Sequence, residues 1–349
     1  MTNQKKTGLV PKNKLLSYAV NAALLLVTYF LFFALIANGT INRYTSGIMT
    51  TMFINIILTV SLNLVSGFLG QLVLGHAGFM SVGAYTAALF TLYSGLPITI
   101  AFPIGIVLAG VVAAVFGIII GVPALRLRGD YLAIITLGFG EIIRVIILAC
   151  DFTGGAKGLR GIPTILPQGS DATSLSLAKY SYVFWLAVLT VAVIWAFVRS
   201  RHGRAVIAIR EDEIAAEASG IHTTYYKLFA FVMAAFFAGV AGSLYAHHIG
   251  VLDPSKFNFD YSVEILLMAV LGGLGSITGS IIAAVVLTIL PEFLRGFEDY
   301  RMLIYAVILI IVMLFKPSGL MGQHEFSLSG IAARLKAGKV RPAKKGKGE

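Results

Sequence analysis

Charge is scarce in this sequence. Only 12% of the residues are Asp, Glu, Lys or Arg, where a soluble domain carries about a quarter. A water-facing surface cannot be covered by so few charges, which excludes an ordinary soluble enzyme. Cysteine is nearly absent: Cys150 is alone, so no intramolecular disulfide can form. It sits at the end of an apolar run, where a buried thiol is inert. No G-x-x-x-x-G-K-[ST] phosphate loop occurs. The cluster Gly272-Gly273-Leu274-Gly275 has no lysine and lies in an apolar stretch, so the chain is not expected to hydrolyse ATP or bind a cofactor. Neither H-E-x-x-H nor paired cysteines are present. Of the six histidines only His247 and His248 adjoin. Neighbours on a helix point about 100° apart, a poor chelating pair. They read as interface residues, and no metal site is expected. The absence of a nucleophile–base set also argues against a membrane-embedded enzyme.

What the sequence has in abundance is apolar length. Hydrophobic residues make up 58%, and mean hydropathy is +0.88. A helix crosses ~30 Å of hydrocarbon with about 20 apolar residues. Runs of that kind extend over Leu15–Ala37, Gly47–Ser66, Gln71–Tyr93, Ile98–Val122, Tyr131–Ala149, Ser181–Val198, Leu228–His248 and Met302–Phe315. The stretch Asp260–Leu294 is too long for one span, and the glycines of Leu271-Gly-Gly-Leu-Gly-Ser276 break it in two. The expected fold is all-α, a polytopic membrane protein of about ten transmembrane helices. The first run is too long for a signal peptide core and has no small-residue cleavage site after it.

The net charge of +11 is read as membrane orientation rather than nucleic-acid binding, because the basic residues cluster between and beyond the apolar runs. With the N-terminus inside, nineteen Lys and Arg fall on the inner side: the tail of residues 1–14, the turn at Arg126 and Arg128, the loop Arg199–Lys227 and the chain after Phe315. Seven fall outside: Arg43, Lys157, Arg160, Lys179, Lys256, Arg295 and Arg301. That is the positive-inside pattern, and it favours splitting the Gly272 stretch, since ten spans return the C-terminus to the inner side. The tail 323–349 is strongly basic and is expected beside anionic headgroups.

The inner loop carries both signs of charge. Glu211, Asp212 and Glu213 open a short helix at its positive end. Ala215, Ala216 and Ala218 propagate it, and Gly220 closes it as a left-handed residue. The segment presents small residues inside a charged rim.

Arg210-Glu-Asp-Glu-Ile-Ala-Ala-Glu-Ala-Ser-Gly-Ile221 resembles the cytoplasmic coupling segment of ABC-importer permeases. Four further blocks resemble one branch, the LivM-type branched-chain amino acid permeases: Gly67–Phe79, Thr153–Pro163, Ser262-Val-Glu through Ser276, and Lys316-Pro-Ser-Gly-Leu-Met-Gly322. The blocks are separated but in the right order, and the resemblance covers roughly Ser61 to Gly322. The resemblance implies a type II-like ABC importer permease fold in a bacterial inner membrane. It implies partnership with a second homologous permease, two cytoplasmic ATPase subunits that use ATP and Mg, and an extracytoplasmic solute-binding protein. Arg204, Arg210, Glu211, Asp212, Glu213, Ala215, Ala216 and Gly220 would lie in an ATPase cleft. The substrate would be a branched-chain amino acid. A urea or short-amide permease of the same family remains an alternative, and so does a gradient-driven transporter, for which Glu141 and Glu264 are the available intramembrane carboxylates.

Ionisable groups inside spans are costly and are paired or functional. Glu141 and Arg144, three apart on one helical face, read as an ion pair, with a substrate-path role as the sharper reading. Gln71 and His76 lie in a glycine-rich stretch where a broken helix would expose backbone to a cavity, and are the other path candidates. The outer loop 150–180 is expected to receive the binding protein, at Thr153, Gly154, Gly155 and Arg160.

Overall fold

The computed structural model describes residues 14–127, 129–167, 171–316 and 319–322. The expected N-terminal tail before Lys14, Arg128 of the inner turn, and the basic tail 323–349 lie outside the described residues. Helices occupy every expected span position: α1 (Lys14–Ala37), α2 (Arg43–Asn63), α3 (His76–Tyr93), α4 (Ile98–Ala124), α5 (Asp130–Ala149), α6 (Ala172–Arg199), α9 (Thr223–Ile249), α10 (Phe259–Gly272), α11 (Ile277–Phe293) and α12 (Arg301–Phe315). Two short helices, α7 (Arg201–Glu211) and α8 (Glu213–Ala218), fill the loop between α6 and α9. Among the described residues, six helices are individually long and apolar enough to cross a membrane: α2 with its extension to Phe68, α4, α5, α6, α9, and α11 with its extension to Phe297. At 1.5 Å per residue, the 14 residues of α10 reach only ~21 Å.

Several boundaries differ from the sequence reading. α2 runs into a π turn over Leu64–Phe68, and the chain is then extended until α3 begins at His76, not at Gln71. α6 starts at Ala172, nine residues before the expected Ser181. Its first turns carry Thr173, Ser174, Ser176 and Lys179, which mask the helix to an apolar-run criterion.

The centre of the bundle is α2, α3 and α9, with α4, α5 and α6 around it. The reason lies in side-chain size. Small residues let membrane helices approach closely, and close packing rather than water exclusion holds them together. A β-carbon at Gly83 of α3 would stand 2.3 Å from the Gly239 Cα of α9, and one at Gly242 would stand 2.0 Å from the Met80 carbonyl oxygen. The apolar outer faces of α4 and α5, with Ile104, Val107, Ile118, Ile134 and Ile142, are exposed and suit lipid.

α2 also carries a polar stripe, Asn55, Thr59 and Asn63, at four-residue spacing. The Asn55 amide donates to Thr288 of α11 (2.9 Å) and the Thr59 hydroxyl reaches the Met268 sulfur of α10 (3.5 Å). Asn63 is fully buried; its amide donates to the Ser276 carbonyl (2.9 Å) and the Ser280 hydroxyl (2.7 Å), and its Oδ1 accepts from the Gly275 N–H (3.0 Å). It thus holds the tight α10–α11 turn, which falls at Gly273–Ser276 as the glycine pattern predicts. The last carbonyls of α10, orphaned like those of any helix end, accept from a distant segment: Leu320 N–H to Leu271 O (2.7 Å) and Met321 N–H to Gly272 O (3.3 Å).

Candidate functional site

The α7–α8 unit is built by capping. The Ser200 hydroxyl accepts from the Gly203 N–H (3.2 Å) to start α7. Gly203 is required there, because a β-carbon would sit 2.3 Å from the Phe197 carbonyl oxygen. Val206 and Ile209 bury the inner face of α7. Asp212 interrupts the helix and caps α8, its Oδ1 accepting from the N–H groups of Ile214 (2.9 Å) and Ala215 (3.0 Å), the usual work of an N-cap aspartate. Gly220 ends the unit at φ +82°, as the left-handed closing residue the pattern called for. Ala216 faces inward. Ala215 and Gly220 are exposed, with Ile214 71% exposed. Glu211 and the solvent-facing Arg204, whose Nη1 donates to the Arg199 carbonyl (3.3 Å), form the rim.

Two contacts tie this exposed unit to the bundle, and neither was visible as a sequence motif. Glu213 Oε1 pairs with Lys227 Nζ at 2.7 Å, and the Lys227 side chain is only 4% exposed. The Arg210 guanidinium donates through Nη1 to the Gly67 carbonyl (2.9 Å) and through Nη2 to Glu211 Oε1 (2.9 Å).

The path candidates fall at two places. Gln71 is half-buried in the extended segment, its N–H bonded to the Val65 carbonyl (3.0 Å). His76 starts α3 and is buried, its Nε2 3.0 Å from the Ser61 hydroxyl. The segment between them is held by side chains: Leu74 N–H donates to Thr136 Oγ1 of α5 (3.2 Å), and Ala77 N–H to Ser262 Oγ of α10 (3.2 Å). Broken backbone at membrane depth needs such partners. Glu141 and Arg144 form the expected pair on α5, Nε to Oε2 at 2.7 Å, both half-exposed. Glu264 lies elsewhere, in a cavity of about 950 Å³ lined also by Arg43, His248, Asp260 and Glu292.

On the opposite side from α7 and α8, the loop after α5 is a folded cap. The Thr153 hydroxyl is buried and donates to the Ile147 and Cys150 carbonyls, closing the end of α5. Gly154 and Gly155 adopt φ +85° and +52°. Leu159 pairs with Leu252 in an isolated antiparallel bridge that joins this cap to the α9–α10 loop. Arg160 and Phe152 are exposed beside it. Thr153 therefore shapes the cap, while Arg160 presents its surface. His247 is occupied internally, with Thr91 at 3.1 Å and the Ser243 carbonyl at 2.8 Å. Among the described residues no cluster of metal-binding side chains occurs.

Helices of spanning length and apolar surface, packed around broken segments, define a polytopic membrane protein. The chain belongs to the family described as branched-chain amino acid transport system / permease component, whose model matches residues 44–313. It is similar to the high-affinity branched-chain amino acid transport system permease protein LivM of Salmonella typhimurium and of Escherichia coli, at 40% identity in each case over 304 residues, 80% of this chain and 71% of the relative. LivH of E. coli, a permease protein of the same transport system by name, is 33% identical over 160 residues, 45% of this chain and 52% of LivH. Of solved structures, PsaBC from Streptococcus pneumoniae in complex with Fab aligns at a TM-score of 0.43 and 15% identity, covering 80% of this chain and 95% of that one.

Proposed function

We propose that this chain is the LivM-type membrane subunit of an ATP-driven importer of branched-chain amino acids. It has no ATPase site of its own. It pairs with a homologous second permease, draws on two cytoplasmic ATPase subunits that use ATP and Mg, and receives substrate from an extracytoplasmic binding protein. Residues 15–322 form the permease domain, with both termini cytoplasmic and residues 199–227 as the coupling loop.

The observation that carries this reading is the α8 knob. It exposes Ile214 and Ala215 beside the acidic Glu211 and Glu217, while Glu213 anchors it to α9 through Lys227. An exposed helix fixed rigidly to a spanning helix can transmit a push. ATP then acts as a differential bias between two arrangements of the bundle. Gln71, His76, Glu141 and Arg144 remain the proposed path residues, and the cap around Thr153–Arg160 the proposed docking surface for the binding protein.

The test is uptake of labelled leucine into proteoliposomes holding both permeases and the ATPases, with the binding protein outside. Uptake requiring both ATP and the binding protein supports the reading. Uptake driven by an ion gradient without the ATPases refutes it. Leucine-independent assembly that imports urea instead would keep the machine and change its cargo.

A further inference from the structure

Two breaks in the membrane helices meet at one point: the π turn Leu64–Phe68 after α2 and the Gly273–Ser276 turn between α10 and α11. Three glycines line that point. A β-carbon at Gly67 would stand 2.3 Å from the Gly275 nitrogen and closer still to Asn63 Oδ1. One at Gly70 (φ +75°) would stand 2.5 Å from Arg210 Cγ, and one at Gly275 3.1 Å from Arg210 Nη1. Gly70 and Gly275 leave room for the Arg210 side chain, whose Nη1 ends on the Gly67 carbonyl. Arg210 is the second-to-last residue of α7, so that room is occupied from the knob and not from the bundle.

We propose that Arg210 is the positioning residue through which movement of α7 and α8 reaches the membrane breaks, an inference that rests on the importer reading above. The linkage is continuous. Arg210 holds the Gly67 carbonyl, Gly67 backs onto Asn63, and Asn63 binds Gly275, Ser276 and Ser280. A single-turn π bulge is a costly local form of helix, common at functional sites. A charge-assisted bond to its carbonyl stabilises that form. When an ATPase displaces the knob, the bond to Gly67 is strained, the π turn can relax towards α-helical pairing, and the register of residues 69–75 shifts. Asn63 then releases its grip on the α10–α11 turn. The joint is thus a two-state element biased from the cytoplasmic side, which is what a claim of coupling requires.

The test uses the full complex in proteoliposomes and reads leucine uptake per ATP hydrolysed. Arg210→Met keeps the stem and removes the donors. In complexes that assemble, uptake per ATP hydrolysed is expected to fall ~tenfold, the scale of one lost charged hydrogen bond; a change that only weakened ATPase docking would lower uptake and hydrolysis together and leave that ratio unchanged. A second variant guards against misfolding. Arg210→Lys keeps a charged donor on a long stem and is expected to recover part of the coupling that Arg210→Met loses. Unchanged coupling in Arg210→Met, or an equal loss in Arg210→Lys and Arg210→Met, would overturn the proposal. Wild-type complexes are scored first; if they show no ATP-dependent uptake, the importer reading itself has failed.

Discussion

Lys227, at the start of α9, meets Glu213, the first residue of α8, across a 2.7 Å ion pair, with the lysine side chain 96% shielded. Removing the carboxylate leaves a shielded ammonium and costs ~3–5 kcal/mol, whereas replacing both can be nearly neutral. Glu213→Leu is therefore expected to lower the unfolding temperature of the purified chain markedly. Lys227→Met with Glu213→Leu should regain most of the loss. Thermal unfolding in detergent, read as a double-mutant cycle, checks this; additive losses would mean the pair does not anchor the knob.

Asn63 bonds Gly273, Gly275, Ser276 and Ser280 from inside the bundle. Asn63→Leu leaves the half-buried Gly275 N–H without its acceptor, and a bond of this kind left unmade costs ~1 kcal/mol or more. The expected result is a destabilised chain that proteases cut at the α10–α11 turn. Limited proteolysis with mass mapping would show whether the cut falls there.

Two glycines should respond in opposite directions. Gly242→Ala places a methyl group 2.0 Å from the Met80 carbonyl oxygen, and overpacking of that severity costs ~1–3 kcal/mol or more. Gly138, exposed in α5, has nothing within 4 Å of a prospective β-carbon, so Gly138→Ala should stabilise by ~0.5–1 kcal/mol through helix propensity. Folded yield after detergent extraction, measured for both variants, would expose a reversed order at once.

Thr153 and Arg160 lie seven residues apart but are expected to fail differently. Thr153→Val removes the hydroxyl that closes the end of α5 and should cost ~1 kcal/mol of stability, with the response to binding protein intact. Arg160→Glu should leave stability alone and weaken stimulation of ATP hydrolysis by loaded binding protein, more so at low ionic strength, where surface charges act at longer range. Identical behaviour of the two variants would remove Arg160 from the docking surface.

The positions of the helices and the break at Gly272 were legible because membrane burial writes itself into long apolar runs and glycines. The α8 helix was legible from local signals, acidic residues at its start and Gly220 at its close. What could not be read were relationships set by the third dimension. Glu213 and Lys227 are 14 positions apart in a loop with charges of both signs, and their pairing exists only once α8 folds back on α9. Asn63 is one polar residue in an apolar run, with no pattern to mark it. The end of α2 gave no sign of a π turn, because an apolar run reads the same whether its backbone pairs at four residues or at five. α6 was shortened because its first turns are polar where they meet the aqueous edge.

The closing of α10 has a consequence in time. Its last carbonyls, on Leu271 and Gly272, are met by the N–H groups of Leu320 and Met321, some fifty residues downstream. During synthesis the ribosome releases α10 and α11 into the bilayer long before those partners emerge. The nascent protein therefore carries an unsealed seam through the last stage of its insertion, and the GLMG segment works as a late-arriving fastener. A transcript cut short just before Leu320 would yield every helix of the bundle and still leave that seam open.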